Sequence, residues 1–578
     1  MKKIQNIALA ATMVPVLLFS SCSNDYLDRT PTTAMDTEIV LNDPSLVPTT
    51  VVGTMKMMWA ASTWGCYIPV IGDLMTDMVT SIRQNQGTLQ DMERWNITTN
   101  STDAATFWAG PYQVAAAAAR TIEASKRMLA DSANLQLDAS ETNNLYSALA
   151  TSLTIKVHAE YFLSQFFCID VNETRVPGVN AANKVGLILL HDRALTNTEP
   201  ANMSTLAATY QLMEKEIAEA IDAFGRSGSS SFTLQGGEAR YYPTLAAAYM
   251  VQARVLLAQH KYQEAYNAAQ SALDNLPSGA NETLISTEEG LLNAYGETPS
   301  SEDIWLLEYT SQDNLSAKSL NNLFGSYGFT PTEKATDLFE SGDIRRALYA
   351  NNTESAPSTS SSSYCLKYPT DNAVFNVPVL RVPELYLIQA ECMAMGSISA
   401  GGVSAARDLI KNNILAARDT AMTDDNFNSR YPDLASDEVI SGYANNGVAQ
   451  GFLLGLLDEH ARELLCEGQR WSILRRNGVA LNRMENEDRG TVGSGNNEDS
   501  RKFRTHFQAY PLSRVSLPVP FTEFNTQQWK AGRAVDFDGN PIDSKNWQTN
   551  AWDQPNGSNN YSPTVALPED GESYNNNN

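Results

Sequence analysis

Ala-rich segments with a helical period recur in pairs along this chain, and that recurrence constrains the fold more than any other feature. Phe107–Ala130 holds an unbroken alanine run from Ala115 to Ala119, and Asn143–Cys168 follows as a second helical stretch. Met203–Phe224 comes next, with Leu212, Ile217, Ala220 and Ile221 as its apolar stripe. Tyr242–Gln259 and Tyr262–Asn275 form a hairpin broken at His260-Lys261, and Pro383–Ala394 with Val403–Ala417 forms another pair. Pairs in this number are enough to stack a superhelical wall, so the expected fold class is all-α.

Between the pairs lie long segments with no helical period. Thr50–Thr99 is rich in Met, Trp and Gly, and Asn281–Tyr368 mixes Gly, Ser, Tyr and Trp. Asn351–Ser363 is a low-complexity polar loop, and the chain from Asp536 onward reads as an irregular tail. Loops this long in a compact protein are functional or disordered, so the scaffold is expected to carry an irregular face. In the hairpin, Leu256-Leu257-Ala258-Gln259-His260-Lys261-Tyr262-Gln263-Glu264-Ala265, then Ala268 and Ala272-Leu273, resembles a tetratricopeptide repeat. Small side chains at those places let two helices approach closely.

Lys and Arg number 41 against 66 Asp and Glu, a net charge of -25 over 578 residues. Phosphate binding needs clustered cations, so nucleic acid is not the expected partner. At 43% hydrophobic the chain is too apolar for general disorder. A mean hydropathy of -0.30 excludes a polytopic membrane protein. Residues 1–21 read as an export signal, with Lys2 and Lys3 before a moderately apolar Ile4–Phe19 that is short and weak for a spanning helix. Phe19-Ser20-Ser21-Cys22 resembles the bacterial lipobox, which makes Cys22 the expected acylated residue and a lipid tether the expected membrane attachment. An ordinary cleaved signal with an incidental Cys is the alternative. The other cysteines, Cys66, Cys168, Cys365, Cys392 and Cys466, form neither a CxxC pair nor a Cys/His cluster, which argues against zinc. Their odd number leaves at least one free thiol, and one disulfide stays open.

Several stretches together resemble the SusD/RagB family of surface nutrient-binding lipoproteins. They are Cys22 with Asp25-Tyr26-Leu27-Asp28, the Trp108–Ala130 helix entry, Arg240–Leu273, and the run from Val379 to Glu391. Most specific is Glu459-His460-Ala461-Arg462-Glu463-Leu464-Leu465-Cys466-Glu467-Gly468-Gln469-Arg470-Trp471, similar to the family's Glu-Arg-x-x-Glu-Leu-x-x-Glu-Gly-x-Arg helix with His460-Ala461 in place of Glu-Arg. Tyr510–Pro520 with Glu523–Asn525 resembles its closing Pro-x-Pro segment. The resemblance implies a single domain over residues 22–578. Repeat-like pairs would lie at about 107–276 and 380–417, ligand-facing segments at about 50–100 and 281–368, a family segment at about 450–530 and a tail at 536–578. It further implies an outer-membrane lid over a SusC-like TonB-dependent transporter. Such a lid captures oligosaccharides, or sometimes peptides, with neither catalysis nor a cofactor.

The residues themselves supply a reason for sugar capture. A pyranose face presents polarised C–H groups to an aromatic π face, a contact open to a ligand without charge. Trp59, Trp64, Tyr67 and Trp95 crowd the first irregular segment, with Asp73, Asp77, Arg83, Asn96 and Asn100 as hydroxyl partners. Tyr295, Phe324 and Tyr327 lie in the second, beside Gly325 and Gly328. Trp95 with Arg83 and Asn96 leads, as a stacking ring flanked by polar groups. The competing reading of each aromatic is core packing, which is the expectation for Trp305 and Trp471. Arg462, Glu463, Glu467 and Arg470 stand at helical spacing, as in a structural ion-pair network. The histidines form no HExxH motif, and His158 inside an apolar helix reads as a satisfied core residue. No phosphate-cradling loop, nucleophile elbow or EF-hand spacing is present. Two rival classes remain open: an exported helical-toroid glycoside hydrolase, whose carboxylate pair could hide among 66 acids, and a protein-binding scaffold.

Overall fold

The computed structural model describes residues 40–81, 85, 87–93, 97, 100–172, 184–195, 203–232, 237–313, 315–349, 365–368, 374–396, 398–432, 450–477 and 516–520. Cys22 and the expected tail lie outside them.

Helices α1 (Val47–Met58) and α2 (Tyr67–Leu74) lead into strand β1 (Val79–Ser81). Two long helices follow, α3 (Thr102–Ala130) and α4 (Ala139–Phe167). A capping box starts α4: the Asp138 carboxylate accepts from Glu141 N at 2.8 Å, and Glu141 accepts from Asp138 N at 3.0 Å. Strands β2 (Val185–Ile188) and β3 (Met203–Thr205) precede α5 (Leu206–Ser227), which Thr205 caps and Gly228 ends in the left-handed conformation. The repeat-like hairpin is α6 (Leu245–Leu257) and α7 (Tyr262–Asp274). Strands β4 (Asp303–Tyr309), β5 (Phe329–Pro331) and β6 (Phe375–Arg381) come next. β6 runs directly into α8 (Val382–Met395), with Pro383 in its first turn, where a missing N–H costs nothing. Helix α9 (Val403–Leu409) continues through a π-helical turn, Ile410–Leu415, to Arg418. Helices α10 (Gln450–Leu464) and α11 (Arg470–Arg476) complete the set used below.

Helices α3 to α9 form a continuous run in which each packs on the next. The alanines let backbones close up, and Ala115, Ala118, Ala119, Ala246, Ala247, Ala248, Ala265, Ala269 and Ala272 are fully buried. Between α4 and α5 the Lys156 ammonium is buried against Glu160 at 2.9 Å and Glu216 at 2.6 Å. One apolar cluster extends from Val51 to Val519 and draws on every helix named above.

This helical wall is the expected all-α, tetratricopeptide-like scaffold, with boundaries close to those read from periodicity. Two details differ. Met203–Thr205 is a strand paired with β2. Thr50–Thr99, expected to be irregular, holds most of α1 and all of α2, because Val51, Met55 and Met58, then Ile68, Val70, Ile71 and Leu74, all point inward. The five cysteines in the described residues are free, buried thiols. Burial pushes the thiols of Cys66 and Cys168 up to about 12.

Candidate functional site

The two segments singled out for their aromatics meet. β1 pairs antiparallel with β5, with Val79 opposite Pro331, Thr80 opposite Thr330 and Ser81 opposite Phe329. Three rungs alone would be marginal, and polar side chains pin them. The Glu93 carboxylate accepts from Thr80 Oγ1 at 2.8 Å, Ser81 N at 2.8 Å and Ser81 Oγ at 2.6 Å. The Asn85 amide donates to the carbonyls of Thr88 and Gly328, each at 3.2 Å, while its Oδ1 accepts from Gly87 N and Thr88 N. Gly328 is required here, since a Cβ would sit 2.6 Å from Leu323 O. Thr332 closes the other end, with its N and Oγ1 donating to the carbonyls of Met78 and Asp77.

This knot fixes the chain two residues before Arg83, two residues before Trp95 and one residue after Tyr327. Arg83, Trp95, Asn96 and the Tyr327 side chain themselves lie outside the described residues. Sequence reasoning missed Asn85, which ties the two segments together, and Glu93, which pins β1 from within the first. Their signal was weak: a lone amide and a lone acid beside the aromatics.

Beneath the knot, α2 rests on the turn before α11. Gly72 and Gly468 touch through backbone, where a Cβ on Gly72 would lie 1.8 Å from Gly468 O and one on Gly468 1.9 Å from Ile68 O. Gly468 also has φ +74, a conformation glycine adopts freely. Asp73 accepts from Gly468 N at 3.2 Å and Arg470 N at 3.0 Å. Burial nonetheless pushes its carboxyl up to about 6. Asp77 is buried between Lys334 at 2.5 Å and Arg470 at 3.2 Å. Burial opposes its ionisation, but those two cations hold it down at about 2.

The remaining candidates are placed differently from a ligand platform. Trp64 is buried, stacked on His158 with centroids 5.0 Å apart and edge-on to Phe162. Tyr67 is buried and donates its hydroxyl to Asp103 at 2.9 Å. Tyr295 is buried beneath the cations of Lys367 and Arg381, 5.4 and 5.7 Å from its ring. Trp59 packs edge-on against Tyr309, and Phe324 stacks on Tyr368. Asp77 is likewise consumed by its ion pairs. These residues close the core under the knot and leave no ring face for a sugar; helical and irregular periodicities alike hide which way a ring points. Asn100 is exposed, two residues before α3. Trp305 and Trp471 are core, as expected, the latter donating Nε1 to Gln165 O at 3.1 Å. His158 is core but unsatisfied: neither ring nitrogen has a hydrogen-bond partner among the described residues, and burial with nearby Arg254 pushes its pKa well down.

The charged constellation is an ion-pair network, with partners that helical spacing did not supply. Glu463 accepts from Arg345, Arg381 and Arg418 at 3.2, 3.0 and 3.1 Å. Glu467 takes Arg381 at 2.6 Å together with Lys367, and Arg418 also reaches Glu302 at 2.7 Å. Within the helix, Arg462 pairs with Glu459 at 2.8 Å. Burial resists the charge on Glu463, yet its three arginines hold the carboxyl well below the usual range. A carboxylate held this way binds elements together and is no proton donor at neutral pH. Among the described residues no group of His, Cys, Asp and Glu is placed to hold a metal ion, and no described helix is long and apolar enough to cross a membrane.

A stacked helical wall whose loops knot together at one place is a known architecture. Residues 327–529 match the sequence model of the SusD family. The fold is similar to a SusD superfamily protein from Bacteroides vulgatus, with 18% identity and a TM-score of 0.63 over 88% of this chain and 100% of that one. A SusD superfamily protein from Bacteroides thetaiotaomicron gives 18% and 0.62 over 84% of this chain and 98% of that one. A laminarin binding SusD-like protein gives 15% and 0.55 over 84% and 98%. No curated protein sequence matches. Residues 327–529 thus carry the SusD family's sequence pattern, and the fold as a whole is similar to that of SusD superfamily proteins.

Proposed function

We propose that this protein is a glycan-binding lipoprotein, a single unit over residues 22–578 tethered through Cys22 to the outer membrane. It captures an oligosaccharide without cleaving it and delivers it to a SusC-like TonB-dependent transporter. The observation that carries the reading is the β1–β5 pairing, which draws the flanks of Arg83, Trp95 and Tyr327 into one knot. Support also comes from the laminarin-binding relative of the same fold. In this reading Trp95 stacks on a sugar face, and Arg83, Asn96 and Asn100 take its hydroxyls.

The test is calorimetric titration of protein beginning after Cys22 with neutral oligosaccharides, laminarin fragments included, with product analysis of every hit. Binding without turnover, weakened about tenfold in Trp95→Ala (roughly 1.4 kcal/mol), is the expected result. Turnover would put the hydrolase first. Binding unchanged in Trp95→Ala would remove the assigned site, and silence to glycans with response to peptides would reassign the ligand.

A further inference from the structure

The repeat-like hairpin and the family-matched C-terminal helices meet at a small void. Its polar lining is Tyr161, Arg254, Glu384, His460, Gln469, Ser472 and Arg476, with apolar neighbours between them. Tyr161 sits on α4, Arg254 on α6, Glu384 on α8, His460 on α10, and Ser472 with Arg476 on α11, so five helices converge there. The void leaves about 10 Å³ for the centre of a water molecule, which is at the threshold for holding one.

Its polar lining is incomplete. Arg254 spends Nε and Nη2 on a bidentate pair with Glu384, both at 2.6 Å, and leaves buried Nη1 with no hydrogen-bond partner among the described residues. His460 lies 3.3 Å from Glu391 through Nε2 without hydrogen-bond geometry, and its Nδ1 also has no partner among the described residues. Both side chains are more than nine-tenths buried. A stranded buried donor costs about 1–3 kcal/mol, and native proteins place ordered water at such points.

We infer that the void holds one ordered water molecule, accepting from Arg254 Nη1 and hydrogen-bonded to His460. Charge selects a neutral occupant over an anion. Arg254 is neutralised by Glu384, and Arg476 by a bidentate pair with Glu391 at 2.7 Å, so no cation is left unbalanced. Size selects water over anything larger. The neighbouring void beside Asp73 and Arg470, which His460 also lines, has no space for a water centre. The water therefore ties α6 of the wall to α10.

The experiment is a crystal structure of the protein at a resolution that shows ordered water, followed by joint neutron refinement. A density peak about 2.7–3.2 Å from Arg254 Nη1, with its hydrogens turned away from that guanidinium, is the expected result. An empty void, or an Arg254 turned so that Nη1 meets a protein acceptor, would overturn the inference. A peak whose neighbours and scattering fit chloride would overturn the choice of a neutral occupant. None of these outcomes depends on which glycan the protein binds.

Discussion

Replacing Glu216 by Gln should stabilise the protein at neutral pH. Lys156, Glu160 and Glu216 are all buried, so one cation faces two carboxyls. Two buried carboxylates beside a single ammonium leave one charge uncompensated, and a proton is the cheapest remedy. Burial pushes Glu216 up to about 8, with Lys156 opposing and Glu160 adding to the rise. From a usual value of 4.5 the folded protein then binds one more proton than the unfolded chain between about pH 4.5 and 8. Stability from this group is fully present below 4.5 and is lost at about 1.4 kcal/mol per pH unit as the pH rises toward 8. At pH 7 the loss is on the order of 3 kcal/mol. Gln mimics the protonated acid and never ionises in the unfolded state, so Glu216→Gln should recover roughly that amount. For a chain this long, with an unfolding entropy on the order of 1.2 kcal/mol/K, the shift in Tm is about 2–3 °C. Calorimetry at pH 5 and pH 7 reads it: a gain at 7, little at 5. A loss of several kcal/mol at pH 7 would show that Glu216 is ionised and that Lys156 depends on it, which would refute the proton count.

Other substitutions probe the seams. Gly468→Ala puts a Cβ against Ile68 O at a positive φ; a destabilisation of about 3 kcal/mol or more in urea melts is expected. Glu463→Gln strips a charge from three buried arginines and should cost roughly 3–5 kcal/mol by the same measurement. Asp77 has the opposite pH sign from Glu216: its stabilisation is present above 3.8 and lost as the pH falls toward 2, so Asp77→Asn should flatten the acid limb of the stability curve between those values. Asn85→Ala removes the tie to Gly328 without touching the core; glycan affinity should fall severalfold in titrations while Tm stays within about 1 °C.

The helical wall was legible because its helices, 13 to 29 residues long, keep small and apolar residues at helical spacing over several turns. The loops were less so. β1, β3 and β5 are three residues long, too short for an alternating pattern, and β1 and β5 lie far apart in the chain. Trp305 read as core because it sits in an alternating apolar run, whereas Trp64 and Tyr295 sit among glycines and polar residues that suggested exposure. Glu463 and Glu467 read correctly as ion-pair members. Their cations, Arg345, Arg381 and Arg418, come from three other places, which no i to i+4 rule can supply. Of the candidate site, the aromatic composition of the two segments was visible in advance, and the tie between them through β1–β5 and Asn85 was not.

That tie also sets an order of assembly. The hairpin α6–α7 closes between residues a few positions apart, whereas Asn85 must find Gly328 across 243 residues, and Asp73 must find Gly468 across 395. Loop-closure entropy grows only slowly with length, by about 0.6 kcal/mol per doubling, but three short rungs offer little to repay it until the wall has brought the two ends near. The wall should therefore template the knot. In pulse-labelled hydrogen exchange during refolding, amides of α4, α6 and α7 should gain protection first and Ser81 N last. The surface assigned to capture would then exist only in chains that have already finished folding.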